Sequence, residues 1–420
     1  MKKINSEKYK KVADYEGKTG EIKKVILLYS GGLDTSVMLK WIQNNYKAEV
    51  TTLTLDLGQQ HDNRKVIRDK ALKLGAKKAI LLDVKEEFAN EYIAKGIKAN
   101  ACYQGNYHLS TAIGRAILAK KAVEIAKKEK INCIAHGCTG KGNDQVRLDS
   151  YIITLEPNMK VIAPVREWNM DRNEEIIYAE KNNIPVPASV DFPYSDDDNM
   201  WGITWEGGEI TDPNLIPPVE KFLTTYNTPE KSPDQPELVK IGFEKGIPIS
   251  LNGRKMKLSE LIIKLNNIAG NHGVGTFHVL EDRLIGLKNR GVYEQPAAHV
   301  IIEAHKNLEK YVSTRTLNEL KQVLDTKWGY SCYGALWYDP MMQAINAFND
   351  SVNEKVSGEV SIRLFKGVAT VVALNSPFAL DYVSFNNNEG YKFNVNNSAS
   401  FIEIYSLQMK LVNKIKNKRK

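Results

Sequence analysis

Residues 25–38 read VILLYSGGLDTSVM, and this stretch joins an apolar run to a glycine turn and the start of a helix. The apolar run predicts a buried strand, because it is short and aliphatic. The two glycines let bare backbone N–H groups approach a ligand, and the N–H groups and dipole at the start of a helix favour anions. The stretch therefore predicts a phosphate-binding loop between a strand and a helix.

Length and composition predict a folded chain with several domains. The protein has 420 residues, of which 42% are hydrophobic, so two or three domains are expected rather than one small core. No window approaches the roughly 18 to 20 consecutive apolar residues of a membrane span, and the first residues lack the apolar segment of a secretory signal. These observations predict a cytoplasmic protein without a membrane partner.

The positive charge of the chain is concentrated at its ends. The formal net charge is +8, but residues 1–24 hold eight lysines against four acidic residues, and residues 410–420 hold six basic residues and no acid. The rest of the chain is left with a net charge of −2. A basic tail is more often a solvated end than a binding surface, so this distribution disfavours nucleic acid as a partner.

The cysteines indicate neither a disulfide scaffold nor a metal site. Four cysteines are few for a chain of this length, and they are scattered: Cys102, Cys133, Cys138 and Cys332. The segment CIAHGC places a histidine near two of them, but in a strand the side chains of Cys133 and His136 face opposite ways. Buried free thiols are therefore expected, with a structural role for Cys332.

Short apolar runs alternate with helical patterns between about residues 24 and 165. The runs KVILLYS, AEVTTLTLDLG, KAILLDV and INCIAHG predict strands, and the segments between them predict helices. Such alternation is typical of parallel βαβ units with helices on both faces of one sheet. The predicted fold class is α/β, with a doubly wound parallel-sheet nucleotide-binding domain whose ligand lies beyond the carboxyl ends of the strands.

The pattern changes near residues 180–195, where Pro, Gly, Trp and acidic residues interrupt the alternation. Short strands mixed with helices after that point predict an α+β domain, and the final residues show a helical pattern of apolar side chains. The predicted divisions are an N-terminal extension (1–21), a nucleotide-binding domain (22–185), a second domain (186–395) and a C-terminal helix (396–420).

Three designs of phosphate loop are possible after the first strand. A dinucleotide fingerprint needs G-x-G-x-x-G, whereas Gly31 and Gly32 are adjacent and no third glycine is in register. A Walker loop needs G-x-x-x-x-G-K-[ST], and GCTGKGND has a shorter loop with Gly142 after Lys141. The remaining design, S-G-G-x-D-[ST]-[ST], is matched by SGGLDTS. An alternative interpretation is that Asp34 only caps the helix, which would still leave an anion site before it.

The segment SGGLDTS after the first strand resembles the pyrophosphate-binding loop of the PP-loop ATP pyrophosphatases, which cleave ATP between its α and β phosphates and adenylate a substrate. Within that superfamily, HGCTGKGNDQVR (136–147) is similar to a stretch of the argininosuccinate synthase family. Similar segments run in the family's order from about residue 22 to about residue 412, among them LGQ, ALKLGAKK, KVIAPVREW and GNHGVGTFHVLEDRLIGLKNRGVYEQPA. The resemblance implies a PP-loop domain over 22–185 and a synthetase domain that also forms oligomers over 186–395.

The family joins citrulline and aspartate with ATP through a citrullyl-AMP intermediate in arginine biosynthesis, and it releases AMP and pyrophosphate. The resemblance therefore implies a carbon–nitrogen ligase with small-molecule substrates, Mg²⁺ held mainly by the phosphates of ATP, and a homotetramer. Such chemistry depends more on positioning and electrostatics than on acids and bases. No catalytic residue is assigned, and Asp34, Lys141 and Asn143 are expected to position the reactants.

By the same resemblance, three loops at the ends of strands form the ATP site. The expected ATP-binding residues are Leu28, Tyr29, Ser30, Gly31, Gly32, Leu33, Asp34, Thr35, Ser36, Leu55 and Gly137. The backbone of Leu55 is expected to touch the adenine. Lys141 is expected to add positive charge near the phosphates, although a lysine between glycines can instead be merely solvated.

The two amino-acid substrates are expected to share part of one site. The positions that match aspartate-binding residues of the family are Thr139, Asn143 and Asp144. The positions that match citrulline-binding residues are Tyr107, Ala112, Asn143, Arg147, Ser195, Thr204, Glu281 and Tyr293. Arginine and hydroxyl donors suit a carboxylate, and a carboxylate suits an ammonium group, so these residue types fit amino-acid ligands.

Two features depart from the family pattern. Ala112 stands where many members have a serine, so Ser110, Thr111 or the backbone is expected to take over that contact. Residues 1–21 extend beyond the usual start, and no function is assigned to them. Two rival functions are a PP-loop tRNA-thiolating enzyme, which needs paired cysteines and a basic face, and a nucleotide-binding regulator without catalysis. The charge distribution disfavours the first, and the intact loop residues disfavour the second.

Overall fold

The structure is a computed structural model that describes residues 21–60, 63–168, 170, 172–185, 192–223, 226–381 and 394–417. The chain splits into two compact units, and the second begins at Ala379. The predicted N-terminal extension lies outside the described residues except for Glu21. The predicted boundary after residue 185 stays a prediction, because residues 186–191 are not among the described ones.

The first unit begins with a parallel five-stranded sheet. Its strands are β1 (Lys24–Leu28), β2 (Glu49–Asp56), β3 (Lys78–Asp83), β4 (Cys133–Ala135) and β5 (Lys160–Ile162), in the order β3-β2-β1-β4-β5. The helices of this part are α1 (Leu33–Tyr46), α2 (Arg64–Lys73), α3 (Lys85–Glu87), α4 (Ala94–Lys98), α5 (Ser110–Glu129), α6 (Asp144–Leu155), α7 (Pro164–Glu167) and α8 (Arg172–Lys181). A π-helical turn at Phe88–Ile93 joins α3 to α4.

Alternate residues of β1 pack into two separate cores. Ile26 and Leu28 belong to one hydrophobic cluster, and Val25 and Leu27 belong to another. None of the four is more than 7% exposed. Because both faces of the strand are buried, it reads as a continuous aliphatic run and not as an alternation. The predicted doubly wound α/β domain is confirmed.

The strand order places a topological switch between β1 and β4. From β1 the chain runs through β2 to β3 at one edge, and it then returns to β4 on the other side of β1. The connections after β1 and β4 therefore leave the sheet in opposite directions and open a crevice at its carboxyl edge. The predicted phosphate loop follows β1 and the glycine loop at 136–143 follows β4, so both lie at this crevice.

Two antiparallel sheets complete the first unit. One has the order β11-β12-β7-β6, with β6 (Tyr194–Asn199), β7 (Gly202–Gly207), β11 (Thr276–Asp282) and β12 (Lys288–Glu294). The other has the order β10-β9-β8-β13-β14, with β8 (Glu237–Glu244), β9 (Ile247–Leu251), β10 (Arg254–Lys255), β13 (Gly358–Phe365) and β14 (Val368–Asn375). The helices are α9 (Leu258–Asn271), α10 (Pro296–Val312), α11 (Arg315–Tyr333) and α12 (Pro340–Asn353). This mixture confirms the predicted α+β character.

The second unit contains α13 (Asn397–Tyr405) and α14 (Leu407–Asn417). The predicted single helix is therefore interrupted at Ser406, and its last three residues lie outside the described part. The Ser406 hydroxyl donates to the carbonyl of Glu403 at 3.2 Å. A serine side chain that competes for backbone carbonyls in this way disturbs a helix locally. No helix among the described residues is long and apolar enough to cross a membrane.

Candidate active site

The loop after β1 turns at Gly31. This residue has φ of +84°, in the left-handed region that favours glycine. A Cβ atom there would also lie 2.9 Å from Cγ1 of Ile67 in α2. The ammonium group of Lys70, on the same helix, donates to the Gly31 carbonyl at 2.7 Å. The turn is thus held against α2 both by close packing and by a hydrogen bond.

The hydroxyl groups of the loop divide into a buried pair and an exposed pair. The buried Ser36 hydroxyl donates to the Gly32 carbonyl at 2.7 Å and lies 3.0 Å from the Tyr29 hydroxyl. The Ser30 and Thr35 hydroxyls lie 3.3 Å apart at the solvent-facing rim. The side chains of several predicted ATP-binding residues are buried and support the loop from behind: Leu28, Tyr29, Leu33, Ser36 and Leu55.

Asp34 lies in the first turn of α1 but does not cap the helix. The N-cap residue is Gly32, and no side chain accepts a capping hydrogen bond there. Asp34 instead pairs with Arg172 at the start of α8, with 2.5 Å between Oδ1 and Nη1. The interpretation of Asp34 as a helix cap is therefore wrong. Both side chains are more than half exposed, at 55% and 56%, so this ion pair contributes little to stability.

The loop after β4 packs beside the phosphate loop. A Cβ atom on Gly137 would lie 2.5 Å from Cε of Met38 in α1, so glycine allows this close approach. His136 lies 2.5 Å from Asp149 through Nε2, and its Nδ1 accepts the backbone N–H of Cys138 at 3.2 Å. These contacts give His136 a structural role. Within the part of the chain that the structure describes, no three His, Cys, Asp or Glu side chains could jointly hold a metal ion.

A cavity of about 280 Å³ opens next to this glycine loop. Gly137 lies on its wall, together with every predicted aspartate- or citrulline-binding residue except Ala112: Tyr107, Thr139, Asn143, Asp144, Arg147, Ser195, Thr204, Glu281 and Tyr293. The residues of the phosphate loop and Leu55 are not on this wall. The structure thus brings the two predicted amino-acid sites together and places the predicted phosphate site beside them at the sheet edge.

Helices and an antiparallel sheet deliver these side chains from two sides. Asp144 and Arg147 stand one helical turn apart at the start of α6 and face the cavity together. On the opposite side, Thr204 of β7 pairs in register with Tyr293 of β12. Glu281 comes from the neighbouring strand β11. Residues that are more than 130 positions apart in the sequence therefore converge only through the fold.

Ala112 lies behind the cavity wall. Its side chain is fully buried, and its backbone N–H donates to the Tyr107 hydroxyl at 3.4 Å. Thr111 lines the cavity, and its hydroxyl lies 2.9 Å from that of Thr204. This pair supplies hydroxyl groups where the family pattern has a serine at the position of Ala112. Thr111 was one of three expected substitutes, and its place on the wall favours it.

A cluster of four charges forms one side of the cavity. The guanidinium of Arg115, which lies one turn after Thr111 on α5, donates to Asp144 at 2.9 and 3.0 Å and also pairs with Asp197. Burial alone would raise the pKa of Asp144, but the charges of Arg115 and Arg147 outweigh it and bring that pKa down to about 2. Burial raises the pKa of Asp197. Asp144 is therefore a fixed negative charge at neutral pH.

Arg147 is buried yet keeps a donor for a ligand. It is 3% exposed, and its Nη1 pairs with Asp144 at 2.6 Å. Its Nε donates to the carbonyl of Tyr333 at 3.1 Å, whereas Nη2 has no hydrogen-bond partner among the described residues. A buried, unpaired N–H of a guanidinium is costly, so Nη2 remains available as a donor to an acceptor in the cavity.

Glu281 is a largely buried carboxylate on the cavity wall. Burial raises its pKa to about 7, although a hydrogen bond to Tyr333 and the charge of Arg147 oppose the shift. Near it, Arg283 pairs with Glu206 at 3.0 Å and donates to the carbonyl of Lys141 at 3.1 Å. The Lys141 side chain itself is exposed.

Several contributors to this site were not predicted from the sequence, among them Arg115, Asp197, Arg283 and Tyr333. Arg115 stands four residues after Thr111, and this helical spacing was the available signal. Arg283 and Tyr333 reach the site from a hairpin and from the end of α11, and no local pattern indicates either of them.

The sequence matches two family models that divide the chain between them. One describes the N-terminal HUP domain of argininosuccinate synthase and covers residues 24–185, and the other describes the C-terminal domain and covers residues 194–412. The chain belongs to the argininosuccinate synthase family. An argininosuccinate synthase from Pyrococcus furiosus is 49% identical over 386 residues, which cover 92% of this chain and 93% of the relative.

Other argininosuccinate synthases show similar agreement. The protein of that name from Symbiobacterium thermophilum is 46% identical, with coverage of 93% of this chain and 97% of the relative. One from Bacillus cereus is 44% identical, with coverage of 95% and 99%. A solved structure of the U34-tRNA thiolase NcsA from Methanococcus maripaludis, with its [4Fe-4S] cluster, is 17% identical over 40% of this chain and 59% of its own. Its TM-score of 0.27 is too low to support an inference.

Proposed function

We propose that the chain joins L-citrulline to L-aspartate with ATP, forming argininosuccinate, AMP and pyrophosphate through a citrullyl-AMP intermediate, in arginine biosynthesis. The observation that supports this activity is the composition of the cavity beside the glycine loop. Its wall combines ionised Asp144, the unpaired donor of Arg147 and a carboxylate at Glu281, which are groups that suit two zwitterionic amino acids.

In the proposed first step, the ureido oxygen of citrulline attacks the α phosphorus of ATP. The bond from that phosphorus to the bridging oxygen of the β phosphate breaks, and pyrophosphate leaves with the electron pair. The backbone N–H groups around Gly31 and Gly32 and at the start of α1 are proposed to stabilise the charge that develops on this leaving group. The Ser30 and Thr35 hydroxyls at the rim of the loop are available to the same oxygens.

In the proposed second step, the amino nitrogen of aspartate attacks the activated ureido carbon. The bond from that carbon to the oxygen bound to phosphorus breaks, and AMP leaves with the oxygen. Asp144 is too weak a base to take the proton of the amine at neutral pH, because its pKa is held near 2. Its proposed role, with Thr139 and Asn143, is to bind and orient aspartate.

Citrulline is proposed to lie against the tyrosine and threonine side of the cavity. The rings of Tyr107 and Tyr293 are 4.5 Å apart and would limit the position of its aliphatic chain. Nη2 of Arg147 is the proposed donor to an acceptor oxygen of citrulline, and Thr204 and Thr111 supply hydroxyl groups nearby. Tight placement of this kind contributes to rate by holding the reacting atoms in line.

The proposed form of the nucleotide is its magnesium complex. The predicted phosphate site offers N–H groups, hydroxyls and a single carboxylate, Asp34, so phosphate oxygens rather than side chains would supply most of the ligands of Mg²⁺. The metal would neutralise charge on the phosphates. We also propose a homotetramer in the cytoplasm, which is what the resemblance to the family implies.

The proposal is tested by measuring pyrophosphate release from ATP with citrulline and aspartate, and with each of them omitted in turn. Release that needs citrulline, and sustained turnover that also needs aspartate, are the expected results. Asn143→Ala should raise the KM for both citrulline and aspartate, because Asn143 is predicted to contact each of them. Stimulation by another nucleophile such as tRNA, with no effect of citrulline, would contradict the proposal and favour a different PP-loop enzyme.

A further inference from the structure

Tyr333 lies directly behind the cavity wall, at the end of α11. Its side chain is 1% exposed, and it contacts the predicted citrulline residues from the rear. Nδ2 of Asn143 donates to the Tyr333 hydroxyl at 2.7 Å. Nε of Arg147 donates to the Tyr333 carbonyl at 3.1 Å. One buried tyrosine thus holds two neighbouring polar groups of the wall.

The same hydroxyl also bonds to Glu281. Because its oxygen accepts from Asn143, its proton is free to be donated, and the Glu281 carboxylate is a hydrogen-bond partner of this hydroxyl. A donor of this kind stabilises the ionised carboxylate and opposes the effect of burial on the pKa of Glu281. The Tyr333 hydroxyl therefore connects Asn143 of the glycine loop to Glu281 of β11.

The ring of Tyr333 is fixed by its neighbours. It stacks on Tyr103 with ring centres 3.6 Å apart and planes 7° from parallel. The guanidinium of Arg147 lies over the ring, 4.8 Å from its centre, and Tyr107 meets it edge-on at 6.4 Å. Stacking and cation–π contacts of this kind restrain the ring, so its hydroxyl points in one direction.

We propose that Tyr333 is a positioning residue of the citrulline site, which holds Asn143, Arg147 and Glu281 in one arrangement through separate contacts. This inference rests on the proposed function, because it assumes that these three side chains bind citrulline. An ionised Glu281 accepts hydrogen bonds from the ammonium or ureido N–H groups of that substrate, whereas a protonated Glu281 accepts them poorly. Citrulline binding is then expected to weaken as Glu281 becomes protonated.

Other charged and titratable groups around Glu281 contribute to the same titration. Those that face it from the neighbouring elements, besides Tyr333, are Tyr103, Tyr107, Arg147, Glu206 and Arg283. Removing the Tyr333 hydroxyl leaves all of these in place and takes away the donor to Glu281 together with the acceptor for Asn143. The pKa of Glu281 should therefore rise further, and the acid limb of the pH profile should move to higher pH.

The test is the variant Tyr333→Phe, assayed for KM and kcat with each substrate over a range of pH. The expected result is a rise in the KM for citrulline of about tenfold, from the loss of one hydrogen bond to a charged group and one to an amide. The KM for ATP should change less than about twofold, because the phosphate loop does not touch Tyr333. The acid limb of the pH profile of kcat/KM for citrulline should shift to higher pH by about half a pH unit or more.

Tyr338→Phe is the matched control. The Tyr338 hydroxyl donates to the carbonyl of Ala116 at 2.8 Å, and Tyr338 is not on the cavity wall. This variant loses a partly buried tyrosine hydrogen bond away from the cavity, so it should lower stability without moving the acid limb. If both variants give the same pH profile and the same KM for citrulline, Tyr333 is a structural residue only and the inference fails.

A second substitution keeps the inference testable if Tyr333→Phe does not fold. Incorporation of 3-fluorotyrosine at position 333 keeps the hydroxyl and makes it a stronger donor, so the acid limb should move to lower pH. An unchanged or upward-shifted limb would overturn the inference. Failure of the proposed function would give a different result, because the unmodified protein would then release no pyrophosphate in response to citrulline. In that case the proposed role of Tyr333 toward citrulline would also be wrong.

Discussion

Arg147 is the residue at which most interactions of the cavity wall meet. It pairs with Asp144, donates to a backbone carbonyl, lies over the Tyr333 ring and keeps Nη2 unpaired. Only a planar guanidinium can satisfy these directions at once, because a lysine ammonium lacks the fork of N–H donors. The shape of the group matters here as much as its charge.

Arg147→Lys is therefore expected to lower kcat/KM for citrulline by about tenfold to a hundredfold, as one or two hydrogen bonds to a charged group are lost. The KM for ATP should change little. Steady-state kinetics with each substrate varied in turn is the measurement. Arg290→Lys is the control, because Arg290 donates to the backbone carbonyls of Ile210 and Leu215 and does not line the cavity. Equal losses in both variants would contradict a role for Arg147 in binding.

The sequence indicated the residues of the wall but not the contacts that hold them. The predicted positions from Tyr107 to Tyr293 came from resemblance, and all except Ala112 line one cavity. Arg115 and Tyr333 were not predicted, because their roles depend on pairing with segments that only the tertiary structure brings near. Thr111 was an open alternative, and its contact with Thr204 could not be read from the sequence.

At the scale of elements, the turn between β1 and α1 combines a special backbone conformation with tight packing. Gly31 has φ of +84° and contacts Ile67 of α2, whereas Gly32 has an ordinary extended conformation with φ of −67°. The two neighbouring glycines therefore differ in what they require. Gly31 requires a backbone conformation that favours glycine, whereas Gly32 does not, and the Gly32 N–H donates to the Ser30 hydroxyl at 3.4 Å.

Gly31→Ala should raise the KM for ATP and lower stability, because a side chain at positive φ costs about 1 to 2 kcal/mol before any clash with Ile67. Gly253→Ala is the control, since Gly253 has φ of +77° and nothing within 4 Å of its Cβ position. Thermal unfolding and ATP kinetics are measured for both. We expect both variants to lose stability, but only Gly31→Ala to bind ATP less well. An unchanged KM for ATP in Gly31→Ala would count against the loop as the phosphate site.

The elements themselves were largely predictable, and their details were not. The aliphatic runs identified β1, β2 and β4 because burial on both faces leaves a clear apolar signal. The run KAILLDV also identified β3, although this edge strand is only partly buried. The role of Asp34 was ambiguous, because its partner Arg172 lies 138 positions away. The π-helical turn at Phe88–Ile93 and the break at Ser406 were missed, since the hydrophobic pattern continues through both.

At the scale of the whole molecule, several buried carboxyl groups make stability depend on pH. Burial raises the pKa of Glu294 to about 8 and that of Asp325 to about 7. For such groups the stabilising contribution is complete below the unfolded pKa and is lost as the pH rises through the folded pKa. Glu294 is therefore expected to contribute a loss of stability between about pH 4.5 and pH 8.

Glu294→Gln should make the free energy of unfolding less dependent on pH over that window. The Gln side chain keeps an acceptor for the Trp205 indole, which lies 2.6 Å from Oε1 of Glu294, but it cannot ionise. Melting temperatures measured from pH 5 to pH 9 provide the check. The exposed Glu180→Gln should leave the pH dependence as in the unmodified chain. A variant curve parallel to that of the unmodified protein would show that Glu294 does not cause the loss.

The proposed homotetramer predicts a mass of four chains by multi-angle light scattering. Ile404→Glu, in α13, should reduce this mass if the C-terminal helices take part in assembly, because a charge is costly in an apolar interface. Ser398→Glu on the same helix is the control for added charge alone. A single-chain mass for the unmodified protein would contradict the proposed assembly.

In the proposed mechanism ATP activates citrulline at its ureido oxygen, and transfer of an oxygen isotope to AMP tests this step. Citrulline labelled with ¹⁸O in the ureido group is incubated with ATP and aspartate, and AMP is analysed by mass spectrometry. The mechanism predicts one ¹⁸O atom in AMP for each argininosuccinate formed, because the oxygen leaves with the nucleotide. Unlabelled AMP, or ADP and phosphate in place of AMP and pyrophosphate, would contradict it.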